Sequence, residues 1–147
     1  VAYKNFDAAV SFYGAFGHYL YNNTANAYFF KGAFNGGRNV PASVATSPQD
    51  AGDPNSPSTK YLEKGDFIRL QNLSFGYNVP LKEKGSLKSM RLSLNGQNLF
   101  IITDYSGLDP EVSSATGDLG SGIPSAGIDY TSFPRPRTIT FGISAKF

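Results

Sequence analysis

The chain has 147 residues, enough for one domain or for a piece of something larger, and it lacks Cys, which excludes disulfides, thiolate catalysis and cysteine zinc sites. A net charge of +2 with scattered Lys and Arg leaves no basic stripe for nucleic acid, and no run of about 18 apolar residues exists to form a transmembrane helix. Gly 16, Pro 9, Tyr 9 and Phe 12, with a single Met and no Trp, point instead to β-structure with many turns and a large aromatic share.

A mean hydropathy of −0.26 does not argue against a membrane β-barrel, whose strands are only half apolar and whose lumen and loops are polar. No charged segment followed by an apolar one opens the chain, so an exported form is expected to begin upstream of Val1.

In chain order, residues 6–20 (FDAAVSFYGAFGHYL) predict a long strand with aromatics on both faces. Gly14 and Gly17 would weaken a helix and let a curved sheet bend. Residues 21–65 read as a long loop: a short aromatic run, Ala27 to Phe34, precedes a tract dense in Gly, Pro, Ser, Asn and Asp.

Residues 66–80 (DFIRLQNLSFGYNVP) predict the second strand. Leu73, Phe75, Tyr77 and Val79 alternate with polar residues, but Ile68 and Leu70 sit in the opposite phase, so either a bulge near Gln71 reverses the faces or the first half packs inward against loops. Pro80 ends it, and residues 81–88 form a short polar turn. Residues 89–103 predict the third strand, with Met90, Leu92 and Leu94 opposite Arg91, Ser93, Asn95 and Gln97; the pattern blurs over 98–102. Residues 104–137 are a second long loop.

Residues 138–147 (TITFGISAKF) close the chain as a fourth strand, with Ile139, Phe141, Ile143, Ala145 and Phe147 on one side and Thr138, Thr140, Gly142, Ser144 and Lys146 on the other. That strand alone fits a soluble sandwich, with one face on a protein core, better than it fits a barrel. Connection lengths separate the two. Long, short, long places both long connections at one end of an antiparallel sheet and the short turn at the other, the outer-membrane pattern of long extracellular loops and short periplasmic turns. Four strands cannot close a barrel, since the smallest have about eight, and an open sheet in lipid leaves unsatisfied edges. The fold class expected is all-β: an antiparallel transmembrane β-barrel segment.

YLEKGDFIRLQNLSFGYNVP (61–80), MRLSLNGQNLFIITDYSGLDPEVSS (90–114) and GIDYTSFPRPRTITFGISAKF (127–147), preceded by FDAAVSFYGAFGHYLYN (6–22), resemble the C-terminal end of the SusC/RagA family of TonB-linked outer-membrane transporters. The resemblance implies a barrel of about 22 strands filled by a plug, of which this chain is the last four. It further implies the outer membrane of a Gram-negative bacterium, with lipid around the barrel. Glycans, or peptides, would be imported with a SusD-type lipoprotein as partner, the TonB complex supplying energy through a part not present here. The plug domain has no counterpart in these residues. A soluble or surface β-sandwich carbohydrate-binding module and a passive porin-like barrel are the alternatives.

No enzyme chemistry is expected. There is one His, His18, no nucleophile elbow and no phosphate-binding glycine loop, and neither cofactor nor metal is implied. For ligand or partner contact the second loop offers Tyr105, Tyr130 and Phe133 as stacking rings and Asp104, Asp109, Glu111 and Asp129 as hydroxyl acceptors. The same residues also read as architectural turns shaped by Gly107, Pro110, Pro134 and Pro136. A calcium site from the carboxylates is weakly supported, because their spacing matches no EF-hand loop. Phe147 looks like the terminal aromatic that outer-membrane barrels present as an assembly signal.

Overall fold

The computed structural model describes residues 1–53, 56–81, 86–111, 113–114 and 125–147. They form two compact units: residues 1–15, 67–102 and 135–147, and residues 16–66 and 103–134.

The first unit is one antiparallel sheet of five strands, β1 (Ala2–Tyr3), β2 (Phe6–Ala15), β5 (Phe67–Val79), β6 (Ser89–Thr103) and β10 (Thr138–Lys146), in the order β1-β2-β5-β6-β10. Opposed residues of an antiparallel pair share a face. Phe6 lies opposite Tyr77, Ala8 opposite Phe75 and Val10 opposite Leu73; across the other seam Leu94 meets Phe141 and Leu92 meets Ile143. These residues make one apolar face across four strands. It is uncovered: Ile139, Phe141 and Ile143 are 72%, 63% and 61% exposed. At one end Phe6 and Tyr77 stack, with ring centroids 4.5 Å apart.

Two irregularities keep this face continuous where the sequence pattern breaks. Ser11 pairs with Asn72 but Phe12 with Leu70, so Gln71 is an extra, bulged residue. The bulge advances the phase by one and returns Leu70 and Ile68, opposite Phe12 and Gly14, to the apolar side; this is the cause of the phase change near Gln71. In β6, Asn98 adopts a left-handed backbone (φ 52°), donating its amide to the Pro136 carbonyl at 3.3 Å. Asx side chains tolerate this region best among residues with a Cβ. It resets the alternation so that Leu99 lies over Gly96 on the apolar face, beside Leu73, Leu94 and Ile139.

The opposite face is polar and small. Arg91 forms a bidentate pair with Asp7 at 2.6 and 2.8 Å and also donates to Asn78 at 3.2 Å. The guanidinium passes over Gly76, which the ladder places opposite Asp7, and a Cβ there would meet both charged groups. Toward the far end of β5 this face closes on itself, with Phe67 and Arg69 buried and Tyr13 edge-on to Phe67 at 5.6 Å.

The first predicted strand is two strands, not one. β2 ends at Ala15, and β3 (Tyr19–Asn22) resumes in a different sheet. Between them Gly17 takes a left-handed turn (φ 79°), its N–H donating to Asp66 Oδ1 at 2.7 Å. The two segments expected as loops are likewise not featureless. They contain three short helices, α1 (Asn23–Tyr28), α2 (Lys31–Asn35) and α3 (Ala42–Ala45), a 3-10 turn at Thr59–Tyr61, and the strands β4 (Leu62–Lys64), β7 (Ser113–Ser114), β8 (Ser125–Ala126) and β9 (Ile128–Asp129). In this second unit β3 is central, antiparallel to β4 and parallel to β9. Much of the turn at 81–88 and of the loop centre at 112–124 lies outside the described residues.

Candidate functional site

In the loop unit buried polar groups stand beside a small apolar core of Leu20, Ala33, Tyr61 and Tyr105. Asn22, 2% exposed at the end of β3, is the hub. Its Oδ1 accepts the Ala25 N–H at 2.9 Å, which caps α1, and its Nδ2 donates to Glu63 Oε1 at 3.0 Å and to Ser106 Oγ at 3.1 Å. Glu63 on β4 in turn accepts the Ser106 N–H and hydroxyl, each at 2.8 Å. A helix of six residues is marginal by itself, so this cap and its tertiary ties are what hold α1.

Asp129 at the end of β9 is the second hub, 4% exposed. Its Oδ2 accepts the Tyr105 hydroxyl at 2.7 Å, and its Oδ1 accepts the Thr24 hydroxyl at 3.3 Å and the Ser132 N–H at 3.4 Å. Burial first, then the bond to Asp129, pushes the Tyr105 phenol far above the usual tyrosine value. The Thr131 N–H donates to Thr24 Oγ1 at 2.7 Å, and Thr131 itself sits at φ 53°, a backbone region that β-branched residues rarely occupy. The first hub thus joins β3, β4 and the residues after β6; the second joins α1 to the chain on both sides of β9.

Beside the two hubs is a cavity of about 600 Å3, within the size range of small-molecule sites. Its apolar wall comes from Phe29, Pro41, Val44, Tyr61, Leu108 and Phe133, and Thr24, Ser43, Lys60, Ser106, Thr131 and Ser132 are polar residues of the same lining. Both hub residues reach it, but their side chains are already engaged.

The candidates named from the sequence separate accordingly. Asp129 and Phe133 line the cavity. Tyr105 is 5% exposed and holds Asp129, so its ring is not presented for stacking on a sugar. Asp109 is buried and accepts the Glu111 N–H at 2.9 Å, a turn contact away from the cavity lining. Tyr130 stacks on Tyr28 at 6.3 Å with Arg38 over the Tyr28 ring. Phe147 is exposed. Asp104 lies outside the cavity lining, and His18 packs over Gly65. Among the described residues no three His, Cys, Asp or Glu side chains converge to hold a metal. Asn22, Thr24, Lys60 and Glu63 were not singled out from the sequence. Within residues 21–65, read as a loop, only the aromatic run from Ala27 to Phe34 departs from the polar composition of the tract that follows it.

No protein-family model matches the chain. TonB-dependent receptor P3 of Formosa agariphila is 35% identical over 99% of the chain, and TonB-dependent receptor SusC of Bacteroides thetaiotaomicron is 31% identical over 99% of it. The chain spans only 15% and 14% of those two receptors. Among solved structures, the RagAB peptide importer in its open-open state superposes on 99% of the chain with a TM-score of 0.72 at 20% identity, covering 16% of that importer chain, and so shares the fold. Matched along nearly its whole length by a stretch of these receptors and sharing the fold of that stretch, the chain belongs to the SusC/RagA group of TonB-dependent receptors and is a segment of their β-barrel.

Proposed function

We propose that this segment is the closing part of the barrel of a TonB-dependent importer in the outer membrane of a Gram-negative bacterium. The observation that carries the reading is the uncovered apolar face running from Phe6 through Phe75 and Leu94 to Phe141, backed by a polar face bearing Asp7, Arg91 and Ser93. A soluble sandwich would bury Ile139, Phe141 and Ile143 in its own core. Lipid outside and a wet lumen inside account for both faces. Among the described residues β10 has a single hydrogen-bonded neighbour, β6, so in lipid its outer edge needs a further strand.

Residues 21–65 and 104–137 are then extracellular loops, and the turn at 81–88 is periplasmic. The importer takes up oligomeric nutrients, glycans or peptides, with a SusD-type lipoprotein over its outer side and a plug gated by TonB. Phe147 serves barrel assembly. No covalent step falls to this segment.

The test uses the full-length gene. The protein should be recovered from the outer-membrane fraction only with detergent, should co-purify with a lipoprotein, and should cease to take up its nutrient in cells lacking TonB. Recovery of the full chain as a soluble monomer would overturn the membrane reading, and uptake indifferent to TonB would leave a passive porin.

A further inference from the structure

The start of β10 joins a cation to an apolar hollow. Thr138 opens the strand opposite Gln97, and Ile139 lies on the apolar face. Just before it the chain runs Pro134, Arg135, Pro136, Arg137. A proline fixes its own φ and keeps the residue before it out of the helical region, so the segment stays extended ahead of the strand. The Pro136 carbonyl is further held by the Asn98 amide at 3.3 Å. Alternation then sets Arg137 on the side of Ile139, one step beyond the apolar positions, with Arg135 about 7 Å farther along. Among the described residues of this unit Asp7 is the only carboxylate, and Arg91 already holds both of its oxygens, so the described sheet supplies no second carboxylate for Arg137.

Next to this cation the apolar face is grooved. Ile139 borders a hollow of about 90 Å3 where Gly96 has no side chain, walled by Leu73, Phe75, Leu94 and Leu99. A second hollow of about 180 Å3 shares Phe75 and Leu94 and runs on to Leu92, Tyr77 and Phe141. Together they make a furrow along the face that a membrane barrel turns outward, where neither further strands nor a plug can cover it. A guanidinium above a furrow of hydrocarbon suits an amphiphile with a phosphate at one end and an acyl chain at the other. Arginine meets phosphate with two parallel donors and gives up its water more readily than an ammonium does.

We propose that Arg137, with Arg135 beside it, binds a phosphate of lipid A, the phosphorylated glycolipid of the outer leaflet, while one of its acyl chains lies along the furrow. The proposal rests on the membrane reading, which puts this end of β10 outside, and it is read by lipid binding and not by transport.

The full-length receptor, stripped of lipid in a mild detergent, is titrated with lipid A, with dephosphorylated lipid A and with phosphatidylglycerol, and native mass spectrometry counts what stays bound. Lipid A should bind best. Its affinity should fall about fivefold in Arg137→Gln, the loss expected for one basic side chain at an anionic lipid surface. Arg137 lies ahead of the strand ladder, and heat-dependent mobility on SDS gels verifies that the variant folds. Three results overturn the proposal: equal affinity in wild type and variant, equal binding of dephosphorylated lipid A, or equal binding of phosphatidylglycerol. A full-length receptor soluble without detergent would refute the membrane reading and the lipid site with it. Uptake indifferent to TonB, beside phosphate-dependent binding of lipid A, would refute the importer and leave the site standing.

Discussion

Replacing Phe141 with Arg tests the face assignment at its most sensitive point. Phe141 lies one residue from the centre of β10, opposite Leu94, with its ring on the uncovered apolar face. A tilted strand crosses the hydrocarbon in about 9–11 residues, so this position is close to the bilayer midplane, where an arginine on the lipid face costs about 2–4 kcal/mol. That corresponds to a roughly 30-fold to 900-fold loss in the folding equilibrium. Thr140, one residue earlier and opposite Asn95, points to the polar side, and Thr140→Arg should cost far less. The pair is measured on the full-length receptor by urea unfolding in lipid vesicles, with heat-dependent mobility on SDS gels reporting assembly in cells. The two substitutions differ by one position along the strand, so depth and local propensity nearly cancel. Equal effects, or a larger effect for Thr140→Arg, would refute the assignment of lipid and lumen faces.

On the polar face, Gly76→Ala should destabilise the barrel, because the new methyl occupies the space through which Arg91 reaches Asp7. The cost should shrink when Gly76→Ala is made on an Arg91→Ala background; an unchanged cost in that double-mutant cycle would locate the strain in the backbone instead. In the loop unit, Tyr105→Phe removes the hydroxyl from buried Asp129 and should cost about 1.5–3 kcal/mol by denaturant unfolding. It should also change the alkaline limb. Tyr105 has its phenol raised in the folded state, so above about pH 10 the unfolded chain releases a proton that the folded chain keeps. Stability therefore falls with rising pH by up to about 1.4 kcal/mol per unit, and the phenylalanine variant should lose that slope. Parallel alkaline curves for the two proteins would show that Tyr105 is not the group held neutral.

Strand identity and the apolar face of β10 were legible along the chain, because a period of two is a local property. The phase change near Gln71 was legible as a bulge or as a first half packed inward, while the break at 98–102 was legible only as a fault. Their resolution needed the partner strand: a bulge is defined by what lies opposite it, and Leu99 regains the lipid face only because Gly96 leaves room and Asn98 accepts a left-handed turn. The end of β2 at Ala15 was missed for a related reason. Residues 16–20 keep the alternation and the aromatics, while the turn at Gly17 depends on Asp66, 49 residues away.

The second unit was the least readable. Its tract of Gly, Pro, Ser and Asn has no hydrophobic period, and what orders it is hydrogen bonding between Asn22, Glu63, Ser106, Thr24 and Asp129, across separations of 41 to 105 residues. The sequence placed these residues only within or beside two long loops. Only the tertiary structure decided that Tyr105 and Asp129 hold each other and that Phe133 edges an apolar cavity. By itself the sequence determined a half-apolar, turn-rich chain of alternating strands joined by long, short and long connections, since alternation and connection length are written residue by residue. Which polar groups remain open to a ligand was decided by the fold, because a side chain's hydrogen-bonding capacity is used up by whichever distant partner reaches it first.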